Sequence, residues 1–265
     1  MKTIFYLGLL SVSSLFCFNL YAQNTMYIAH RGASYDAPEN TLAAVKLAWD
    51  KNADAVEIDV HLSKDNRIMV IHDKDTKQTS GEKLVVKNTN SDELRKMDVG
   101  GFKGSDFIGE KIPFLEEVIE TIPAGKKLFI EIKCGTEVLP FFKDLVDKSG
   151  KISQLVIIGF DFEVVEKAKN LIPSVPAYWL HYNVMGEYDK KWIEKAKQAG
   201  LDGLNFRFTG ITSGYAKAVH KAGLKIFTWT VDDPKEAKRL IELGIDGITT
   251  NRPEWLKNQV LSGIR

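Results

Sequence analysis

The chain has 265 residues, and its 36 basic residues are balanced by 35 acidic ones. That near-neutral balance leaves no basic field for nucleic acid and no dense polybasic patch for a membrane surface. Of the two cysteines only Cys134 lies outside the apolar N-terminal segment, so the folded domain has no internal disulfide to lean on and must be held by its core.

The chain opens with Lys2 and an almost unbroken apolar and small run from Ile4 to Leu20, followed by Tyr21-Ala22-Gln23. This is the layout of a secretory signal peptide cleaved after Ala22, covering residues 1–22 and implying export to the periplasm or the exterior. No other run is long enough to cross a bilayer, so no stable membrane insertion is expected after cleavage. Phe16 stands where a lipoprotein signal needs a small residue before Cys17, which argues against a lipid anchor. Residues 23–265 then suit one large α/β domain.

Within that domain β-rich runs alternate with amphipathic helical ones. Strands are expected at 26–30, 54–60, 128–133, 155–159, 177–180, 202–206, 225–230 and 246–250, and helices at 40–51, 114–121, 164–171, 189–198, 214–221 and 235–243. Gly200, Gly223 and Gly244 recur between a helix and the next strand, where a left-handed cap is easily made. Eight such alternations predict an α/β fold of the (β/α)₈ TIM-barrel type. A doubly wound sheet is the alternative, but no Gly-rich phosphate fingerprint follows the first strand. The rhythm breaks once, from about residue 61 to 112, where a strand expected at 67–72 leads into polar, Gly-rich sequence. A βα connection of that length is expected to be a small insertion after strand 2, sited on the catalytic face.

The chemistry begins on the second strand, in Val56-Glu57-Ile58-Asp59-Val60. Residues two apart share a face, so Glu57 and Asp59 both point into the barrel near the strand's C-terminal end. Paired inward carboxylates repel unless a hard cation lies between them, although a plain salt-bridged pair is the bland alternative. The third barrel strand repeats the pattern in Phe129-Ile130-Glu131-Ile132-Lys133, where Glu131 could complete a three-carboxylate site and Lys133 could meet a phosphate. His30-Arg31-Gly32 ends the first strand; Arg31 suits bidentate contact with phosphate oxygens, and the glycine permits a sharp turn. His72 closes Val70-Ile71-His72-Asp73. Two histidines facing one phosphate make an acid–base pair, since both titrate near neutrality. A His-x-His zinc arrangement is absent at strand one, because Gly32 stands two residues after His30. Trp229 could pack against an apolar part of a substrate or simply fill the rim. His61 is expected to open the long loop, His181 and His220 to lie at the surface, and Cys134 to be structural.

Taken in order, these motifs resemble the glycerophosphodiester phosphodiesterase family in its compact bacterial form, a barrel akin to that of phosphatidylinositol phospholipases. The series runs His30-Arg31-Gly32, Ala37-Pro38-Glu39-Asn40-Thr41, Glu57-Ile58-Asp59-Val60, Ser63-Lys64-Asp65, His72-Asp73, Ile112-Pro113-Phe114-Leu115-Glu116-Glu117, Glu131-Ile132-Lys133, Trp229-Thr230-Val231-Asp232-Asp233 and Asp246-Gly247-Ile248-Thr249-Thr250-Asn251-Arg252-Pro253. The resemblance implies Ca²⁺ or Mg²⁺ held by Glu57, Asp59 and Glu131, with His30 and His72 as acid and base. It also implies Arg31 and Lys133 on the phosphate, Glu39 and Asn40 in support, and hydrolysis of a small-molecule glycerophosphodiester to glycerol 3-phosphate and an alcohol. The chain departs from the family pattern at Lys77-Gln78-Thr79, at Asn251, where an acidic residue is common, and at Ser63. Two other readings are a barrel phospholipase working at a membrane, which the polar insertion disfavours, and a non-catalytic barrel, which would be expected to have lost one of the five central residues.

Overall fold

The computed structural model describes residues 24–182 and 190–262, so the expected signal peptide and Asp189, the first residue of one expected helix, lie outside the described residues. Among the described residues nine strands form, β1 Met26–His30, β2 Ala55–Leu62, β3 Ile68–Val70, β4 Lys127–Ile132, β5 Leu155–Gly159, β6 Ala177–His181, β7 Gly203–Arg207, β8 Lys225–Trp229 and β9 Gly247–Thr250. They alternate with the helices α1 Leu42–Asp50, α2 Lys77–Ser80, α3 Ser91–Leu94, α4 Leu115–Glu120, α5 Leu139–Lys148, α6 Phe162–Leu171, α7 Lys190–Gln198, α8 Ser213–Lys221, α9 Pro234–Glu242 and α10 Pro253–Ser262. All strands but β3 are parallel, and β1 pairs with both β9 and β2, so the sheet closes on itself as a TIM barrel.

Strand parity sorts the residues as expected. Val56, Ile58 and Val60 join the larger core under the helices, while Ala55, Ile28, Phe129, Val156, Tyr178 and Phe227 fill the barrel's lumen. Three aromatic rings plug that lumen, Phe227 lying 5.4 Å from Phe129 and 4.8 Å from Tyr178 between ring centroids. Gly247 makes room for them, since a Cβ there would stand 2.6 Å from the Phe227 ring. The lumen is therefore a packed floor, and only the layers above it can be a site.

Besides the single-turn α2 and α3 of the insertion, two longer helices, α5 and α10, were not among the expected elements. Each carries a proline in its first turn, Pro140 and Pro253, which reads as a breaker along the sequence. At that position the missing N–H has no helical partner to lose, and the fixed φ suits the helix.

The insertion is a small folded unit. β2 runs on to Leu62 and forms an antiparallel hairpin with β3, so His61 belongs to the strand and does not open a loop. Behind the hairpin, Met69, Ile71, Val86, Leu94, Val99 and Ile112 make a separate core. Asp65 ties this unit together, accepting from Ser63 Oγ at 2.6 Å, Ser91 Oγ at 2.6 Å and Ser91 N at 2.9 Å. Arg95 anchors it to the barrel through a forked pair with Glu117 at 2.6 and 2.9 Å, the same Glu117 that receives the N–H of Phe114 at the start of α4. Among the described residues no helix is long and apolar enough to cross a membrane.

Candidate active site

At the C-terminal ends of β1, β2 and β4 the inward positions turn from apolar to charged. His30, Glu57, Asp59, Glu131 and Lys133 stand there together, as their strand parity requires. Glu57 is 3% exposed, Asp59 1% and Glu131 9%. One carboxylate oxygen from each lies within 4.8 Å of the other two.

The turn after β1 is shaped to serve this cluster. Arg31 adopts a left-handed backbone (φ 55°), an uncommon state for a residue with a side chain, and its N–H donates to Glu57 Oε2 at 2.9 Å. Gly32 follows at φ 82°, and a Cβ there would lie 2.6 Å from the backbone of Ala44 in α1. Asn40, also left-handed, clamps Asp59 from both sides: its Nδ2 donates to Asp59 Oδ2 at 2.9 Å and its Oδ1 accepts the Asp59 N–H at 3.1 Å. Glu39 accepts from Arg31 Nη1 at 2.9 Å, while Arg31 Nε lies 3.4 Å from Asp59. Thr41 caps α1, its Oγ1 accepting from Ala44 N.

Both histidines face the same cavity, but their partners differ. His30 Nδ1 meets the Asn251 amide oxygen at 2.8 Å, whereas His72 Nδ1 meets the Asp73 carboxylate at 2.7 Å. Lys133 Nζ lies 3.2 Å from His72 Nε2, 3.0 Å from Glu131 and 3.6 Å from Asp59. His72 owes its place to the hairpin, because the Ile71 N–H donates to Asp59 O at 3.0 Å.

The charges are not at rest. Burial, followed by repulsion from Asp59 and Glu131, pushes the Glu57 carboxyl well above its ordinary range. Burial and the charge of Asp59 raise Glu131 to about 7 despite Lys133 beside it. Asp59 goes the other way: burial acts to raise it, but Arg31, Lys133 and His72, with the Asn40 hydrogen bond, together hold it low. His30 is lowered by burial and then by Arg31. Buried carboxylates that resist ionising together make a donor set suited to a hard divalent cation, which would relieve their repulsion.

The opposite wall, from β5 to β9, is built differently. Ile158, Phe160, Leu180, Tyr182, Asn205, Trp229 and Thr249 complete a cavity of about 150 Å³ with the charged residues. Phe160 stacks on Tyr182 at 4.5 Å, and Trp229 meets both edge-on at 5.5 and 5.9 Å. Trp229 Nε1 and Asn205 Oδ1 are buried polar atoms with no partner among the described residues. Asn205 was not foreseen from sequence, although its polar side chain at an inward position of the apolar run Leu204-Asn205-Phe206 was a readable signal.

Other expectations resolve outside the cavity or beside it. His181 is half-buried rather than a surface residue: it ends β6, and its ring packs among Trp179, Trp192 and Phe206 at 4.1, 4.5 and 5.3 Å. His220 pairs with Asp246 at 2.9 Å on the far side of the fold. His61 Nε2 lies 3.0 Å from His72 O and lines a neighbouring cavity with Asp73 and Asp75. Burial pushes the Cys134 thiol up to about 11, which fits a structural residue better than a nucleophile.

A model of the glycerophosphoryl diester phosphodiesterase family matches residues 30–255. A glycerophosphodiester phosphodiesterase of Caldanaerobacter subterraneus subsp. tengcongensis is 35% identical over 246 residues, covering 90% of this chain and 99% of its own. Among solved structures, that of an Oleispira antarctica phosphodiesterase in complex with the product sn-glycerol-3-phosphate superposes with a TM-score of 0.83 at 27% identity, over 91% of this chain and 98% of its own. A glycerophosphodiester phosphodiesterase from Thermotoga maritima superposes with a TM-score of 0.73 at 26% identity, over 91% and 98%.

Proposed function

This chain belongs to the glycerophosphoryl diester phosphodiesterase family and is a glycerophosphodiester phosphodiesterase on a TIM barrel; from that premise we propose that it hydrolyses glycerophosphodiesters, such as deacylated phospholipids, to glycerol 3-phosphate and an alcohol with a divalent cation in the site. The observation that carries this reading is the convergence of three buried carboxylates, two of which, Glu57 and Glu131, line one cavity together with two histidines and two cationic side chains. The product bound to the Oleispira antarctica relative supports the same substrate class.

Glu57, Asp59 and Glu131 would hold Ca²⁺ or Mg²⁺, both hard cations that favour oxygen ligands. When bound, the cation supplies charge neutralisation at the phosphate. Arg31 and Lys133 hold the non-bridging phosphate oxygens and fix the phosphorus for in-line attack. Glu39 and Asn40 keep Arg31 and Asp59 in place and do not react.

The two histidines divide the proton transfers according to their partners. His30, kept neutral by burial and by Arg31, has an amide on Nδ1 and a free lone pair on Nε2; it is the base. It takes the proton of the attacking hydroxyl, from water or from the neighbouring glycerol group, as the new P–O bond forms. His72 meets the Asp73 carboxylate through Nδ1, which fixes the ring and leaves Nε2 toward the cavity; we assign it as the acid that gives a proton to the departing alkoxide as the old P–O bond breaks. The aromatic wall excludes water from the far side of the substrate, and Asn205 and Trp229 offer one acceptor and one donor to its hydroxyl groups. The apolar run at Ile4–Leu20 supports export, so that the reaction takes place in the periplasm or outside the cell.

The test is turnover of glycerophosphocholine, glycerophosphoethanolamine and glycerophosphoinositol with and without chelator. Glu57→Gln should reduce cation-dependent turnover about 1,000-fold, the upper range for losing a key electrostatic group, while leaving the fold intact. Full activity of that variant, or of the wild type in excess chelator, overturns the metal assignment.

A further inference from the structure

The amide that faces His30 is itself held from behind. Asp232, in the connection after β8, accepts from Asn251 Nδ2 at 2.6 Å through one carboxylate oxygen. Its other oxygen accepts from the Asn251 backbone N–H at 2.9 Å and from Thr250 Oγ at 2.7 Å. A carboxylate only accepts, so the NH₂ end of the Asn251 amide must face Asp232. The amide oxygen is thereby turned toward β1, where it meets His30 Nδ1 at 2.8 Å and accepts from Ser34 Oγ at 3.0 Å.

An acceptor 2.8 Å from Nδ1 requires that nitrogen to carry the proton. The alternative ring, protonated on Nε2, would set a nitrogen lone pair against an oxygen lone pair. We infer that Asp232, acting through Asn251, is a positioning residue that holds His30 in the Nδ1–H form and leaves Nε2 as its reactive nitrogen. The contrast with His72 is instructive, since there a carboxylate does the same work directly, with no amide between. The inference rests on the proposed role of His30 as base, but the state of the ring can be read independently of turnover.

The decisive variants exchange carboxylate and amide. In Asp232→Asn an NH₂ group replaces the oxygen that receives Asn251 Nδ2, so the Asn251 amide gains by turning over and presenting its own NH₂ to His30. The remaining oxygen at 232 can still accept from Thr250 and from the backbone, which keeps the fold. In the double variant Asp232→Asn with Asn251→Asp, the original polarity returns: the carboxylate faces His30, and the amide donates to it from behind.

Long-range ¹H–¹⁵N spectra of ¹⁵N-histidine-labelled enzyme read the tautomer. The expected result is Nδ1–H at His30 in the wild type, a shift toward Nε2–H in Asp232→Asn, and Nδ1–H again in the double variant. In parallel kcat should fall about 100-fold in the single variant with KM little changed, and recover in the double. An Nε2–H ring in the wild type overturns the inference without any variant. So does an unchanged ring in Asp232→Asn, or a double variant that fails to recover although its melting temperature matches the single variant's. A ring that switches as described while kcat stays constant upholds the positioning role and overturns the reading of His30 as base.

Discussion

The mouth of the barrel has two unlike halves built on one plan. β1, β2 and β4 raise His30, Glu57, Asp59, Glu131 and Lys133 above the aromatic floor, whereas β5, β6 and β8 raise Ile158, Phe160, Leu180, Tyr182 and Trp229 at the corresponding heights. Below that level the halves are alike, with Ile28, Ala55 and Phe129 on one side and Val156, Tyr178 and Phe227 on the other. The same inward parity therefore yields a floor in one layer and a divided site in the next. The division matters physically. Charges act strongly only where water is excluded and the local dielectric is low. The apolar half provides that exclusion, and the charged half supplies the groups that use it.

The largest effects should separate the halves by what is lost. With cation saturating, Lys133→Met should reduce kcat/KM about 100- to 1,000-fold, the range for losing one donor on a developing oxyanion, while thermal stability changes little. Leu180→Ala, on the other side of the cavity and 4% exposed, should instead destabilise the fold by about 2–5 kcal/mol and retain most of its turnover per folded molecule. Steady-state kinetics and urea unfolding on both variants check this. The division fails if Lys133→Met keeps its activity or if Leu180→Ala loses it while folded.

A second, smaller effect belongs to the charged half alone. Glu131 titrates at about 7 when the site holds no cation, against an ordinary carboxyl value near 4.5. The native state therefore keeps a proton that the unfolded chain has already released, so the Glu131 contribution to stability falls as pH rises from about 5 to 7. Glu57, also raised, acts in the same direction; Asp59, held low, changes only at more acid pH. Glu131 alone should account for a loss on the order of 3 kcal/mol, to which Glu57 adds, and saturating Ca²⁺ or Mg²⁺ should cancel it. Unfolding in chelator at pH 5 and pH 7.5, then with cation restored, measures it. Greater stability at pH 7.5 than at pH 5 in chelator would contradict the electrostatic account.

The halves also differ in how much of them the sequence discloses. Glu57 with Asp59, and Glu131 with Lys133, interrupt β-rich runs at a spacing of two, and strand parity alone brings them into one space. Inward apolar residues carry no such mark: Phe160 and Leu180 read as core until the closed barrel shows that their layer lines a cavity. Trp229 could be singled out, but packing and binding were equally good readings of it. His30 and His72 drew their meaning from the ordered family motifs, because a lone histidine at a strand end is ordinary. The His30–Asn251–Asp232 chain joins positions more than 200 residues apart and exists only once β9 pairs with β1. His181 shows the converse, since a polar residue at a strand end reads as surface along the sequence, yet it is half-buried against three aromatic rings.

The smallest effect tests whether the apolar half reads the substrate or only keeps water away. Asn205 is 1% exposed, and its Oδ1 has no partner among the described residues, as is true of Trp229 Nε1. A buried acceptor left open costs about 1–3 kcal/mol, a cost that a substrate hydroxyl could relieve by donating to Asn205 and accepting from Trp229. Asn205→Leu should then raise KM about 10-fold for glycerophosphocholine while making the free enzyme slightly more stable. Trp229→Phe, which keeps the ring but removes the donor, should raise it a few-fold. Neither change should affect KM for bis(4-nitrophenyl) phosphate, a diester with no glycerol hydroxyls. Parallel KM shifts on both diesters would make the wall a mere solvent barrier. A shift confined to the glycerol diester would mean that the half with least charge decides which diester is bound.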